Sequence, residues 1–154
     1  MNTERKTYEK LVNTADSAAR KEPSSYLELL QVARQVAENS YSPYSKFQVG
    51  AALLGNDGRV YTGCNVEQST YGGGICAERV AVAKAVSEGC RKFKTIAVVC
   101  LRSPGSYPCG LCRQFLTEFG IDVEVVVDGP DGTYEVISLK ELLPRHFGPN
   151  DLKE

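Results

Sequence analysis

The sequence predicts an α/β domain: a mixed β-sheet with helices packed on its faces. Three observations predict it. Helical stripes alternate with strand-like stretches along the 154 residues. The stretch "TIAVVCL" (95–101) is continuously apolar, as expected of a strand covered on both faces. Two turn sequences, "GNDGR" and "DGPDG", each join a pair of strand candidates into a hairpin, which supplies antiparallel parts.

The elements follow in order. Tyr8, Leu11, Val12, Ala15, Ala18 and Ala19 fall at helical spacing, either a short helix or a loosely ordered extension before Pro23. Residues 1–22 are therefore set apart as an N-terminal extension, and 23–154 as the domain. A firmer helix starts at Ser25, which has capping-box spacing to Glu28. Leu29, Leu30, Ala33, Val36 and Ala37 form its apolar stripe, and "NSYSPYS" ends it, because Pro43 disfavours helix at the preceding residue. "FQVGAALL" (47–54) and "RVYTGCNV" (59–66) are the first hairpin. A helix of about 77–88 stops at Gly89. The buried strand follows, then a helix of about 111–119 that stops at Gly120. "DVEVVV" and "TYEVISL" form the second hairpin, and a short helix of about 139–143 precedes Pro144.

A chain of this length makes one domain and buries roughly 70% of its unfolded surface. The net charge is −1, which argues against a nucleic-acid backbone as partner. No apolar run is long enough for a membrane span. The start, "MNTERKTYEK", lacks the apolar core of a signal peptide, so the cytoplasm is the expected compartment. There, six cysteines point to metal binding or catalysis rather than to three disulfides.

The chemistry lies in two short motifs. In "YPCGLCRQ", Cys109 and Cys112 sit three apart, on one face if the segment opens a helix. The amides of a helix start favour thiolate over thiol. Two thiolates can grip one zinc ion, but a zinc site takes at least three protein ligands. Cys76 in "GICAERV" is the natural third, at another expected helix start after Gly72, Gly73 and Gly74. The single histidine, His146, is far from both motifs in sequence, so three thiolates leave a fourth position open, as at a catalytic zinc. Glu78, two residues beyond Cys76, can then take up and return a proton. Zinc with three thiolates carries a formal charge of about −1, which weakens it as a Lewis acid. A donor to the sulfurs would correct this, and Arg79 is favoured over Arg113 for that part. Cys100 reads as a small buried hydrophobe, and Cys64 and Cys90 take no role.

A lone Cys-X-X-Cys is often a redox pair or half of a structural zinc site. Here it follows a ligand-X-Glu and carries a preceding proline, the pattern of zinc deaminases. The chain closely resembles the small, three-cysteine cytidine deaminases that act on free nucleosides. The resemblance runs from about Tyr41 to Leu152 through "SPYSKFQVGAALL", "GRVYTGCNVE", "CAERVA", "PCGLCRQ" and "ELLPRHFGPNDL". It implies a three-layer α-β-α sandwich with a mixed five-stranded sheet, one zinc per subunit and a homotetramer with shared active sites. It implies hydrolysis of cytidine and deoxycytidine to the uracil nucleosides and ammonia, a step of pyrimidine salvage. A nucleoside is thus the expected small-molecule partner, with neither nucleic acid nor membrane. By motif, Cys76, Cys109 and Cys112 match the zinc ligands and Glu78 the proton shuttle. Asn65 and Glu67 match the residues that bind the ribose hydroxyls. Phe47 matches an aromatic beside the pyrimidine, and Phe147 one that reaches the base from a neighbouring subunit. Tyr71 matches a position near the site and the subunit contact, and the Ala77 amide a donor to the base carbonyl.

Two stretches depart from the pattern. "NVEQS" stands where the family often reads "NVENA", and "YGGGI" is less bulky than usual before the zinc cysteine. A deaminase of another cytosine-bearing small molecule, a structural zinc module and a thiol redox protein are the competing functions. Glu78 separates the last two from a deaminase, since neither needs it.

Overall fold

A computed structural model describes residues 22–153. The helical stripe at Tyr8–Ala19 and the rest of the proposed extension lie outside the described residues, except Glu22, which pairs with Lys94 at 2.7 Å.

The elements are α1 (Tyr26–Ala37), β1 (Val49–Gly55), β2 (Val60–Cys64), α2 (Ala77–Ser87), β3 (Phe93–Cys100), α3 (Gly110–Thr117), β4 (Glu124–Asp128), β5 (Tyr134–Ser138) and α4 (Leu139–Leu142). Short 3-10 turns occupy Pro130–Gly132 and Pro149–Leu152. The five strands form one sheet in the order β2-β1-β3-β4-β5. Only β3 and β4 run parallel, with α3 as their crossover; the other three pairings are antiparallel. The expected mixed sheet with two hairpins is therefore present.

The period of two along each strand divides the core. Ala51, Leu53, Ile96, Val98, Val125 and Val127 face a cluster with Ala77, Ala81, Leu116 and Leu139, from α2, α3 and α4. Ala52, Leu54, Ala97, Val99 and Val126 face the other way, against Leu29, Leu30 and Ala33 of α1. The result is three layers, with one helix on one side of the sheet and three on the other.

Helix boundaries follow local chemistry. The Ser25 hydroxyl accepts from the Glu28 amide at 3.3 Å. The return bond of a capping box is displaced by one residue, because the Glu28 carboxylate accepts from the Ser24 amide and hydroxyl at 2.8 and 2.9 Å. At the end of α2 the amides of Gly89 and Cys90 reach back to the carbonyls of Val86 and Ala85, with Gly89 at φ 91°. This is a Schellman closure, which suits glycine. A long-range lock fixes α1 on the sheet: the Glu124 carboxylate accepts from the Tyr26 hydroxyl at 2.8 Å and from the Thr95 hydroxyl at 3.0 Å.

Two glycines set how closely the layers approach. A β-carbon on Gly50 would stand 2.0 Å from the Ala33 carbonyl oxygen of α1. A β-carbon on Gly63 would stand 2.4 Å from the Ala77 carbonyl oxygen and 2.5 Å from the Ala81 nitrogen of α2. Both obstacles at Gly63 are backbone, so neither can rotate away. Gly63→Ala is expected to lower stability by about 3 kcal/mol, the upper end for overpacking. Thermal unfolding checks this, with Tm falling by about 10 °C for a chain of this size. An unchanged Tm would mean that α2 does not rest on β2 as described.

Candidate metal centre and active site

The pairings Gly50↔Cys64 and Val49↔Cys100 place the end of β2, the start of β1 and the end of β3 at one end of the strands. The chain leaves that end twice, after β2 and after β3, and each time leads to a helix start. Cys76 is the N-cap of α2 and Cys109 the N-cap of α3, both with extended backbone. Neither cysteine side chain makes a capping hydrogen bond. Cys112 lies in the first turn of α3 and is fully buried.

The three sulfurs lie within 4.8 Å of one another. Sulfurs bound tetrahedrally to one zinc at about 2.3 Å stand about 3.8 Å apart. The Cys76 and Cys109 sulfurs are 3.9 Å apart. Three soft donors at this spacing fit zinc. Without metal, Cys76 and Cys112 hold their protons unequally. Hydrogen bonding from Cys112 is the main influence that draws the Cys76 thiol down to about 5; burial opposes it, and Arg79 and Cys109 assist. Cys112 is pushed up, first by its bond to Cys76 and then by burial. Cys76 is thus the thiolate and Cys112 the thiol, and a metal must displace the remaining protons.

Glu78 follows on the second position of α2 and is only 4% exposed. Burial is the main cause that raises its carboxyl above the ordinary range, and Cys76 adds to it; its own amide and Cys112 act against the rise. The buried carboxyl therefore adjoins the Cys76 and Cys112 sulfurs, while Cys109 closes the cluster on its exposed side. Arg79 lies beside them. Its Nη2 is 3.6 Å from the Cys76 sulfur and 3.4 Å from the Gly74 carbonyl, and its buried Nε has no hydrogen-bond partner. Arg113 is engaged elsewhere: its Nε donates to the Pro108 carbonyl at 2.8 Å and its Nη1 to the Leu142 carbonyl at 2.9 Å. Ala77 is fully buried at the first position of α2, where backbone amides lack partners within the helix.

A second grouping borders the first. Val66 pairs with Tyr41 on one side and with Ile75, beside Cys76, on the other. Asn65 and Glu67 flank it and both turn toward residues 40–49. The Asn65 Oδ1 accepts from the Ser40 hydroxyl at 2.5 Å and the Val49 amide at 2.8 Å, while its Nδ2 donates to the Phe47 carbonyl at 2.8 Å. The Glu67 carboxylate accepts from the amides of Tyr44 and Ser45 at 3.0 and 3.2 Å, and from the Ser45 hydroxyl. The Ser45 hydroxyl is the main reason the Glu67 carboxyl titrates below its usual range. Tyr71, at φ 56° and 78% exposed, meets the Tyr44 ring edge-on at 5.6 Å.

Phe47 is 41% and Phe147 59% exposed, so neither is the core residue its type suggests. Ser40 and Ser45, to which no sequence motif assigns a role, hold Asn65 and Glu67. "SPYS" and "NVE" look like separate loop motifs until the fold sets them side by side. The Gly72–Gly74 run also gains a partner: a β-carbon on Gly73 would collide with the Gln68 side chain, 1.6 Å from its Nε2. The two departures at 68 and 73 therefore share one volume.

Comparisons with known proteins agree with this geometry. The family model described as the cytidine and deoxycytidylate deaminase zinc-binding region matches residues 23–128. A cytidine deaminase of Sporosarcina psychrophila is 45% identical over 125 residues, covering 80% of this chain and 92% of that one. A probable cytidine deaminase of Dictyostelium discoideum is 48% identical over 124 residues, covering 80% and 84%. Among solved structures, the cytidine deaminase of Burkholderia pseudomallei superposes with a TM-score of 0.74 at 44% identity, covering 80% of this chain and 99% of that one. The matched region contains all three cysteines and Glu78, and with these relatives it establishes that the chain belongs to the cytidine and deoxycytidylate deaminase family.

Proposed function

We propose that this protein hydrolyses cytidine and deoxycytidine to uridine and deoxyuridine with release of ammonia, a reaction of pyrimidine salvage. The observation that carries the reading is the buried Glu78 beside the three-sulfur cluster.

Cys76, Cys109 and Cys112 hold zinc as thiolates. Zinc, when bound, supplies Lewis acidity and makes water acidic enough to act as a nucleophile near neutral pH. Glu78 takes a proton from the attacking water and passes it to N3 of the cytosine ring. A second proton passes through the same carboxylate to the amino group at C4, which leaves as ammonia. Its burial suits both directions of transfer, since a raised carboxyl holds a proton more readily at neutral pH. The Ala77 amide faces the base carbonyl.

Arg79 donates to the Cys76 sulfur and offsets the excess negative charge of three thiolates. Arg79→Gln is expected to lower zinc affinity by roughly 10- to 100-fold, the usual size of such outer contacts. Competition with a chromogenic chelator measures this, and unchanged affinity and turnover would remove Arg79 from the scheme.

Hydrogen-bond capacity limits the sugar site. Both lone pairs of the Asn65 Oδ1 and one of its two amide hydrogens are already used. One donor remains on Asn65, and Glu67 retains spare acceptor capacity. Together they suit one hydroxyl that accepts from Asn65 and donates to Glu67. A site of this capacity accepts the sugar with or without its second hydroxyl, which fits a role on both nucleosides.

Phe47 flanks the pyrimidine, Tyr71 lies near the site and the subunit contact, and Phe147 closes the site from a neighbouring subunit of a homotetramer. The exposure of Tyr71 and Phe147 supports shared sites. A cytoplasmic location belongs to the same reading; among the described residues no helix is long and apolar enough to cross a membrane. Loss of cytidine absorbance on incubation with the zinc-loaded protein tests the activity, and the mass in solution tests the assembly. Zinc-loaded protein that leaves both nucleosides unchanged would refute the reading.

A further inference from the structure

We propose that Gln114 is a positioning residue that fixes Phe147 for use at the neighbouring subunit's base pocket; this rests on the shared-site reading of Phe147 given above. Gln114 lies on α3, two residues beyond Cys112. Its Nε2 donates to the Phe147 carbonyl at 2.8 Å and to the Thr117 hydroxyl at 3.3 Å. The Thr117 hydroxyl spends its own proton on the Gln114 carbonyl at 2.7 Å, so it has only lone pairs to offer the amide. Both hydrogens of the Gln114 amide are thereby committed, and its orientation is set.

The tail it holds has little else to define it. After α4 the chain turns through Arg145, at φ 54°, and carries no helix or strand until the 3-10 turn at Pro149. On the far side of Phe147 the Gly148 amide donates to the Asp151 carboxylate at 2.7 Å, which fixes that turn upon itself. Upstream, Arg113 grips the Leu142 carbonyl. Consecutive side chains of α3 therefore hold the end of α4 and the tail beyond it, and Phe147 is left 59% exposed. Phe147 is thus tied by its backbone to the helix whose N-cap and first turn carry two of the three sulfurs. Each α3 serves its own metal with Cys109 and Cys112 and, through Gln114, its neighbour with Phe147.

Gln114→Glu is the sharpest test, because it keeps the shape and puts a carboxylate oxygen where the donor stood. KM for cytidine is expected to rise by about tenfold, the scale of one hydrogen bond lost to a charged repulsion. Zinc content and kcat should stay at the native level. Phe147→Ala should raise KM by itself, and Gln114→Glu should add little on that background. Mixed oligomers separate positioning from a defect within the subunit. Coexpression with an excess of Glu78→Gln chains, inactive themselves but with intact tails, should restore native KM to the Gln114→Glu sites.

An unchanged KM for Gln114→Glu, beside a raised one for Phe147→Ala, would overturn the positioning role. Loss of zinc and kcat together would also overturn it, placing Gln114 in the metal helix's own support. Failure of mixing to restore KM would refute the passage between subunits. No effect of Phe147→Ala would instead sink the shared-site reading itself.

Discussion

Glu78→Gln is expected to lower kcat for cytidine by roughly 10³- to 10⁴-fold, with zinc content and fold retained. The magnitude is that of a lost general acid–base group. Glutamine has nearly the same shape, so the space beside Cys76 and Cys112 stays filled. Burial already disfavours the charge of Glu78, so its removal costs the fold little. KM should stay within a few-fold, because no other named substrate contact changes. Steady-state kinetics with elemental analysis on one preparation gives the comparison. Native turnover by this variant would show that the proton moves by another route. Loss of zinc would show instead that the carboxylate supports the metal.

The second large effect is expected from Cys112→Ser. Serine's hydroxyl does not ionise near neutral pH and is a harder donor than thiolate, so the site is left with two competent ligands. Zinc should fall from one per chain to near zero, and deamination should fall with it. Cys112 is fully buried in the first turn of α3, so water cannot readily complete the site from that side. Stability should fall as well. A ligand present at 1,000 times its Kd stabilises the folded state by about 4 kcal/mol, and this variant forgoes it. Native protein stripped by a chelator should melt close to the variant, and zinc should restore only the native chain. Full zinc occupancy in Cys112→Ser would refute the three-sulfur site.

Local patterns made much of this site legible. Cys109 and Cys112 share a face because a helix starts there, and Cys76-Ala-Glu78 is compact enough to read directly. The strands themselves were legible too, since "FQVGAALL" and "TIAVVCL" are apolar runs bounded by turn residues. The remaining features depend on partners distant in sequence. The use of most of Asn65's hydrogen-bond capacity needs Ser40, Phe47 and Val49 beside it. The Tyr26–Glu124–Thr95 lock joins residues nearly a hundred positions apart. The close approach of α2 to Gly63 is invisible in a strand that reads as "VYTGC". The displaced bond from Glu28 to Ser24 shows the limit of even a local motif, since two adjacent serines compete for one carboxylate.

The uncapped starts of α2 and α3 bear on how the enzyme matures. Serine or aspartate at those two positions would hold the helix amides by itself; cysteine leaves that task open. No sulfur of the cluster lies on the sheet or on α1, whereas an arriving ion would tie the two helix starts together through Cys76, Cys109 and Cys112. A newly made chain in zinc-poor surroundings therefore lacks that tie next to Glu78. Metal supply then governs how many finished molecules accumulate, as well as how many of them turn over.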